Sequence, residues 1–157
     1  MALTKTKNKK VIVTGGAGFI GSHLTDALIK DGFDVIILDN LSTGKKSNVN
    51  KKAKFVKTDI RNLKKIQPYF KGADWVFHLA ARARIQPSIK DPVSTFDNNI
   101  MGTLNVLLAA RDAGVKRVIY SSSSTPYGDQ DTLPLHEEMA VHFKSPYSLS
   151  KYVGEEL

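Results

Sequence analysis

The chain has 157 residues, no cysteine and a net charge of +8, with 41% apolar and 24% charged residues. That length suits one soluble globular domain able to bury a sizeable core, and the lack of cysteine excludes disulfides and thiolate chemistry, which suits a cytoplasmic setting. No apolar run reaches the roughly 18 residues of a membrane span, and the basic opening MALTKTKNKK lacks a signal peptide's long apolar stretch, so no membrane association is expected.

Residues 1–10 read as a basic tail, with Lys5, Lys7, Lys9 and Lys10. KVIVTG (10–15) is a β-branched run ending in glycine, the mark of a buried strand. From Phe19 the period becomes helical: Ile20, Leu24, Ala27 and Leu28 fall on one face, and Gly32 is the stop. VIILD (35–39) and KFVKTD (54–59) are the next strands, separated by a lysine-rich loop. A short helix follows from Asn62, disturbed at Pro68, and DWVFHLAA (74–81) is a fourth strand running into a loop. Asp91-Pro92 opens the longest helix, with Ile100, Leu104, Leu107 and Leu108 on its buried face and Gly114 closing it. KRVIYSSSS (116–124) is a fifth strand ending in hydroxyls, and Ser145-Pro146 starts the last helix. Strand and helix alternate throughout. The expected fold is therefore α/β, a Rossmann-type doubly wound parallel sheet occupying residues 11–157. Ligands of such sheets bind beyond the strands' carboxyl ends, at the switch point in strand order.

The basic run from Lys45 to Lys57 has no acidic residue to offset it. Neither it nor the tail interleaves a series of aromatics able to stack on bases, so solvated lysines, and no nucleic-acid partner, are expected. An anionic small molecule would still benefit from the field. His23, His78, His136 and His142 lack metal-ligand spacing, so no metal is expected. Glu137-Glu138 reads as a solvated helix start rather than an acid/base pair.

TGGAGFIG places Gly15, Gly18 and Gly21 as G-x-x-G-x-x-G directly after a strand and at the opening of a helix. Glycine there lets the backbone approach a pyrophosphate, which the helix N-terminus favours through its unpaired N–H groups and dipole. Asp39 ends the second strand 24 positions after Gly15, where it can accept hydrogen bonds from both adenosine-ribose hydroxyls. A 2′-phosphate would be repelled by that carboxylate, so NAD is expected over NADP, although Lys45 and Lys46 lie close by in sequence. Tyr147 and Lys151 stand four apart, which alone is an ordinary helix-surface pair. Of the five tyrosines, only Tyr147 has a lysine four positions later.

These glycines, followed in order by Asp59-Ile60-Arg61, HLAA (78–81), the serine run and Tyr147-x-x-x-Lys151, resemble the extended short-chain dehydrogenase/reductase family. Within it the likeness is to nucleotide-sugar epimerases of the UDP-glucose 4-epimerase type, from Val11 to Leu157. The resemblance implies NAD-dependent epimerisation of a nucleotide-diphosphate sugar at C4. It also implies that Phe19 and Ile20 cover the pyrophosphate, while Asp39, Asn40, Leu41, Ser42, Thr43 and Gly44 hold the adenosine half. Asp59 and Ile60 would flank the adenine; Leu79, Ala80 and Ala81 would pass close to the cofactor. Asn98 would sit by the same site, with Asn99 bracing the loop. Ser123 matches the catalytic Ser/Thr, Tyr147 the base, and Lys151 the group that stabilises the base and holds the nicotinamide ribose. Arg82 and Arg84 suit the substrate diphosphate by their guanidinium forks, or are surface residues.

Two departures bear on the reaction. Dehydratases of the family carry Asp-Glu after the catalytic Thr, and Ser124-Thr125 here disfavours elimination. Pro126 replaces a residue commonly Val before Tyr-Gly, which shifts expectations for the loop presenting Ser123. Family members run to about twice this length, so the resemblance implies the cofactor half, without the sugar-binding part. A dinucleotide-binding module without turnover, or another enzyme of the family (a dehydratase, decarboxylase or reductase), is the alternative. The fifth strand would be an exposed edge, so a homodimer or other self-association is expected.

Overall fold

The computed structural model describes residues 9–157, so the tail lysines Lys5 and Lys7 lie outside the described residues. The chain forms two compact units, one of residues up to Ala80 with Asn105–Ser121, the other of Ala81–Leu104 with Ser122–Leu157.

The first unit is a five-stranded parallel sheet. Its strands are β1 (Lys10–Thr14), β2 (Asp34–Asp39), β3 (Lys54–Lys57), β4 (Trp75–His78) and β5 (Arg117–Tyr120), in the order β3-β2-β1-β4-β5. The chain lays strands outward from β1 to β3, then returns to place β4 on the other side of β1. The register pairs Val13 with Ile37 and with Phe77. Alternate residues face opposite sides of a strand, and the sheet uses both sides. Val11, Val13, Val35 and Ile37 form one apolar cluster with Leu28 of α1 (Phe19–Lys30). Ile12, Ile36, Leu38 and Val76 form the other, with Ile66 and Phe70 of α2 (Leu63–Phe70) and Val106, Ala109 and Ala110 of α5 (Gly102–Asp112). Helices therefore cover both faces of this sheet, as the doubly wound expectation requires.

Helix ends follow the expected chemistry. After α1, Gly32 takes φ +89° and its N–H donates to the Ile29 carbonyl, while Phe33 N–H reaches back to Leu28. Gly114, at φ +68°, closes α5 in the same way. Asn62 caps α2 by accepting the Lys65 N–H, and Pro68 sits inside that helix without breaking it.

The expected helix faces need correction. In α1 the buried residues are Gly21, Thr25 and Leu28; Ile20 and Ala27 are exposed and Leu24 is half-buried. Its first turn points outward because Gly21 lies tight against the glycine loop. The expected long helix is three segments, α4 (Pro92–Phe96), a π-helical turn (Asp97–Met101) and α5. Its buried positions are Thr95, Asn99, Gly102, Thr103, Val106, Ala109 and Ala110, whereas Ile100, Leu104, Leu107 and Leu108 are only half-buried. The π turn adds a residue and resets the helical phase. The strands end earlier than expected, with Asp59, Ala81 and Ser124 all beyond them.

The second unit contains α3 (Ile85–Lys90), α4, the π turn and α6 (Pro146–Glu156). Helices α3 and α4 and the π turn all pack on α6. The Ile85–Lys90 helix was not expected. Glu137 and Glu138 are exposed in a turn, not at a helix start. The segment 128–145 forms a loop closed at its neck. There His142 N–H donates to the Pro126 carbonyl (2.8 Å), Gln130 donates to the Tyr127 and Ala140 carbonyls, and Lys144 pairs with Asp129.

Candidate functional site

In the first unit the site begins at the carboxyl end of β1. Gly15 has φ +72° and donates its N–H to the Leu38 carbonyl (2.9 Å). A Cβ on Gly15 would lie 2.8 Å from the Ala80 nitrogen, and one on Gly21 only 2.3 Å from the Gly15 carbonyl oxygen. Contacts that short are repulsive, so β1, the start of α1 and the segment after β4 come together only because these residues lack side chains. Gly18 is the N-cap of α1, and no side chain caps that helix. Its first turn holds no acidic residue, so the positive end of the helix dipole is left for a ligand. Phe19 and Ile20 are 78% and 64% exposed at that turn.

Asp39 is 8% exposed at the end of β2. One carboxylate oxygen accepts the Ala17 N–H (3.0 Å) and the other the Leu41 N–H (2.7 Å). An ionised carboxylate offers about four acceptor positions, so each oxygen keeps capacity for one more donor. The Ala17 carbonyl accepts from Lys45 N–H and from Asn48 Nδ2, both at 3.0 Å. The loop Asn40-Leu41-Ser42-Thr43-Gly44 is thus fastened to the glycine loop through both sides of Ala17. Leu41 takes φ +61°, a left-handed conformation that costs a non-glycine residue and is held by the Asp39 bond. Asn40 Nδ2 donates to Asp59 (3.0 Å). Asp59 also receives Arg61 Nε, Nη2 and N–H, and those bonds hold its carboxyl well below the usual carboxylate range. Ile60 is buried in the sheet core, and Leu79 and Ala80 follow β4, each packed against one of the two clusters.

His78, at the end of β4, is buried with Nδ1 2.6 Å from Thr14 Oγ1, which also accepts the Ala80 N–H. That is a structural role. His23, His136 and His142 are exposed, and among the described residues no cluster of three metal-ligating side chains exists.

In the second unit Tyr147 and Lys151 lie one turn apart on α6, 8% and 4% exposed. Burial pushes the Lys151 ammonium down from 10.5 to about 8, with Glu155 acting in the opposite direction. Even so, about nine-tenths of it is charged at pH 7. Ser145 caps α6 and forms a reciprocal capping box with Ser148. Tyr147 N–H donates to the buried Ser88 Oγ (3.1 Å). Asn99, 1% exposed in the π turn, accepts Arg82 N–H (2.8 Å) and donates to the Arg82 carbonyl and to Ser150 Oγ (3.0 Å). Ser150 in turn donates to the Tyr147 carbonyl (2.7 Å). Asn98 Nδ2 donates to Asn99 Oδ1 (3.0 Å). Ser123 Oγ accepts the Thr125 N–H and lies 3.0 Å from Thr125 Oγ1, at the head of the 3₁₀ turn Thr125–Tyr127 that contains Pro126. Arg82 is exposed with its backbone clamped by Asn99, Arg84 is exposed at the N-cap of α3, and Ala81 is half-buried.

Residues 11–157 match the family described as NAD dependent epimerase/dehydratase. The chain belongs to that family. A Methanocaldococcus jannaschii protein provisionally named a UDP-glucose 4-epimerase is 47% identical over 150 residues, which are 93% of this chain and 48% of that protein. Among solved structures, UDP-glucose 4-epimerase of Thermotoga maritima with UDP-glucose superposes with a TM-score of 0.91 at 40% identity, over 94% of this chain and 49% of that one. The Thermus thermophilus UDP-glucose 4-epimerase in complex with NAD gives 0.88 at 38% identity, over 94% and 49%. The chain spans about half the length of these proteins.

For a member of this epimerase/dehydratase family, the residues sequence reasoning missed are the ones that hold α6. Ser88 lies 59 positions from the residue it bonds, and nothing in the local pattern marks it. Ser150 carried a faint signal, being three positions after Tyr147, where a helical side chain can reach back to a carbonyl.

Proposed function

We propose that this chain, as a 1–10 basic tail and an 11–157 NAD-binding domain, belongs to an enzyme that epimerises a nucleotide-diphosphate sugar at C4. The observation that carries this reading is the buried Tyr147–Lys151 pair, its ammonium still charged at neutral pH, in a chain whose glycine loop has no room for side chains. NAD, when bound, supplies a hydride acceptor and donor for the sugar carbon and is not consumed. The fit to NAD rests on the glycine loop and on Asp39, which retains acceptor capacity for two ribose hydroxyls. Gly15, Gly18 and Gly21 let backbone approach the pyrophosphate, which Phe19 and Ile20 cover. Asn40 to Gly44, Asp59 and Ile60 border the adenosine half, and Leu79, Ala80, Ala81 and Asn98 border the cofactor further along.

Tyr147 takes the proton of the reacting hydroxyl, and Lys151 supplies the positive charge that a proton-accepting phenolate needs and holds the nicotinamide ribose. Ser123 hydrogen-bonds the reacting sugar oxygen and shares its proton. Arg82 and Arg84 face the substrate diphosphate. The enzyme is cytoplasmic, and the 157-residue chain self-associates through β5, which among the described residues pairs with β4 alone and exposes Ile119. The other edge, β3, is guarded by exposed Lys54 and Lys57, which disfavour strand addition there. Among the described residues no helix is long and apolar enough to cross a membrane.

Calorimetry of NAD binding and a UDP-glucose/UDP-galactose interconversion assay test this reading. NAD binding with turnover supports it; binding without turnover by the 157-residue chain favours the cofactor-binding module, and absence of NAD binding overturns both.

A further inference from the structure

Glu155 stands one helical turn beyond Lys151 on α6, on the same face. Its Oε1 accepts a hydrogen bond from Ser122 Oγ. Ser122 immediately precedes Ser123 and leads out of β5 into the 3₁₀ turn. The serine run and the Tyr147–Lys151 helix are distant in sequence, Ser122 and Glu155 being 33 positions apart, and this bond ties them directly. Tyr147, Lys151 and Glu155 thus form a ladder of three residues at i, i+4 and i+8.

We propose that Glu155 is a positioning residue, pinning the serine run to the helix that carries Tyr147 and Lys151 and supplying the counter-charge for the buried Lys151 ammonium. The proposal rests on the epimerase reading for its catalytic meaning, but its geometry does not. Around α6, helix α3 offers Lys90, the π turn offers Asp97, the 3₁₀ turn offers Tyr127 and the loop that shares a cavity with Glu155 offers Glu137, while α4 has no ionisable side chain. Lys90 and Asp97 are exposed, and on α6 itself Glu156 is hydrogen-bonded to Tyr152. Against the effect of burial, Glu155 acts on Lys151 to favour the charged form. Glu155 touches neither reacting atoms nor cofactor in this scheme; it acts through Ser122 and Lys151.

The test separates the two effects. Glu155→Gln keeps an acceptor for Ser122 but removes the charge, and Ser122→Ala breaks the bond but keeps the charge. Both positions are at or near the surface, so folding should survive, as circular dichroism will show. Lysine Cε NMR of the 157-residue chain, with Lys151→Met for assignment, then reads the Lys151 titration directly. Glu155→Gln should shift its midpoint downward, and Ser122→Ala should leave it in place. An unshifted midpoint in Glu155→Gln overturns the proposal whatever the chain's activity. In the full-length enzyme, Glu155→Gln should move the alkaline limb of kcat/KM to lower pH with unchanged NAD affinity. A shifted NMR midpoint beside an unmoved limb would reject the catalytic role of Lys151 rather than the contact itself.

Discussion

Lys151→Met should make the chain more stable near neutral pH while destroying the proposed chemistry. The ammonium is 4% exposed and its pKa falls from 10.5 to about 8, so burial costs more than its partners return. At about 1.4 kcal/mol per unit, the shift corresponds to about 3 kcal/mol against folding. The sign follows from proton binding. Below pH 8 both folded and unfolded chains hold the proton, and the cost is fully present. Between pH 8 and 10.5 the unfolded chain keeps the proton that the folded chain has released, so the cost fades and stability rises with pH. Methionine fills similar space without a charge to desolvate.

Urea denaturation followed by circular dichroism at intervals from pH 6.5 to 10 would measure this. The variant should lead the wild type by up to about 3 kcal/mol at pH 7, equivalent to roughly 6–12 °C in Tm for a chain of this size. The lead should shrink as pH approaches 10.5. Comparing the two proteins cancels the titration of the other lysines and tyrosines. A variant no more stable than wild type at pH 7, with a gap that ignores pH, would refute the reasoning. The expected pattern is that of a site kept at the expense of the fold.

Four further outcomes follow from the geometry. The wild type should bind NAD more tightly than NADP in calorimetry. Asp39→Ala should lose that preference and roughly 1–3 kcal/mol of stability, because the buried Ala17 N–H and the half-buried Leu41 N–H lose their acceptor; tighter NADP binding by the wild type would sink the assignment. In a full-length enzyme Tyr147→Phe should lower turnover by about 10²–10⁴-fold with NAD still bound, and a near-normal rate would mean another base. Gly21→Ala should abolish NAD binding and lower Tm, since its Cβ would sit 2.3 Å from the Gly15 oxygen; ordinary NAD affinity would show that the loop yields. Light scattering should find the chain self-associated, and saturating NAD at a hundred times Kd should add about 2.7 kcal/mol; a strict monomer with an NAD-independent Tm contradicts both.

The alternation of strand and helix was legible because the strands are short apolar runs between helical patterns, β1 and β2 being rich in β-branched residues and closed by glycine or aspartate. The caps at Asn62, Asp91 and Ser145 and the stops at Gly32 and Gly114 were legible because each performs a local task. The buried faces of α1 and α5 were not. A template that scores apolar residues cannot see Thr95, Asn99 and Thr103, whose polar groups are buried because each has a partner. It also assumes one helical period, which the π turn at Asp97–Met101 breaks. Helix α3 escaped because IQPSIK is one and a half turns with a proline inside, too short to show a period. At the candidate site, Asp39 was legible by its place at the end of β2. Its hold on Ala17 and Leu41 was not, because that depends on where two loops meet.

The start of α6 shows why directional bonds, rather than apolar packing, fix the tyrosine. A helix leaves its first N–H groups without internal acceptors. Here Pro146 has none to offer, Tyr147 gives its N–H to Ser88, and Ser148 gives its to Ser145. Each bond constrains the turn that carries the Tyr147 ring, and Asn99 adds a third constraint through Ser150 and the Tyr147 carbonyl. Apolar contact alone would hold a helix while letting it slide by an ångström, and a displacement of that size is costly for proton transfer. Buried serines and an asparagine cannot slide without leaving polar groups unpaired, at about 1–3 kcal/mol each. Alanine at Ser88 should therefore damage turnover more than stability alone explains, because the position it releases is that of the proposed base.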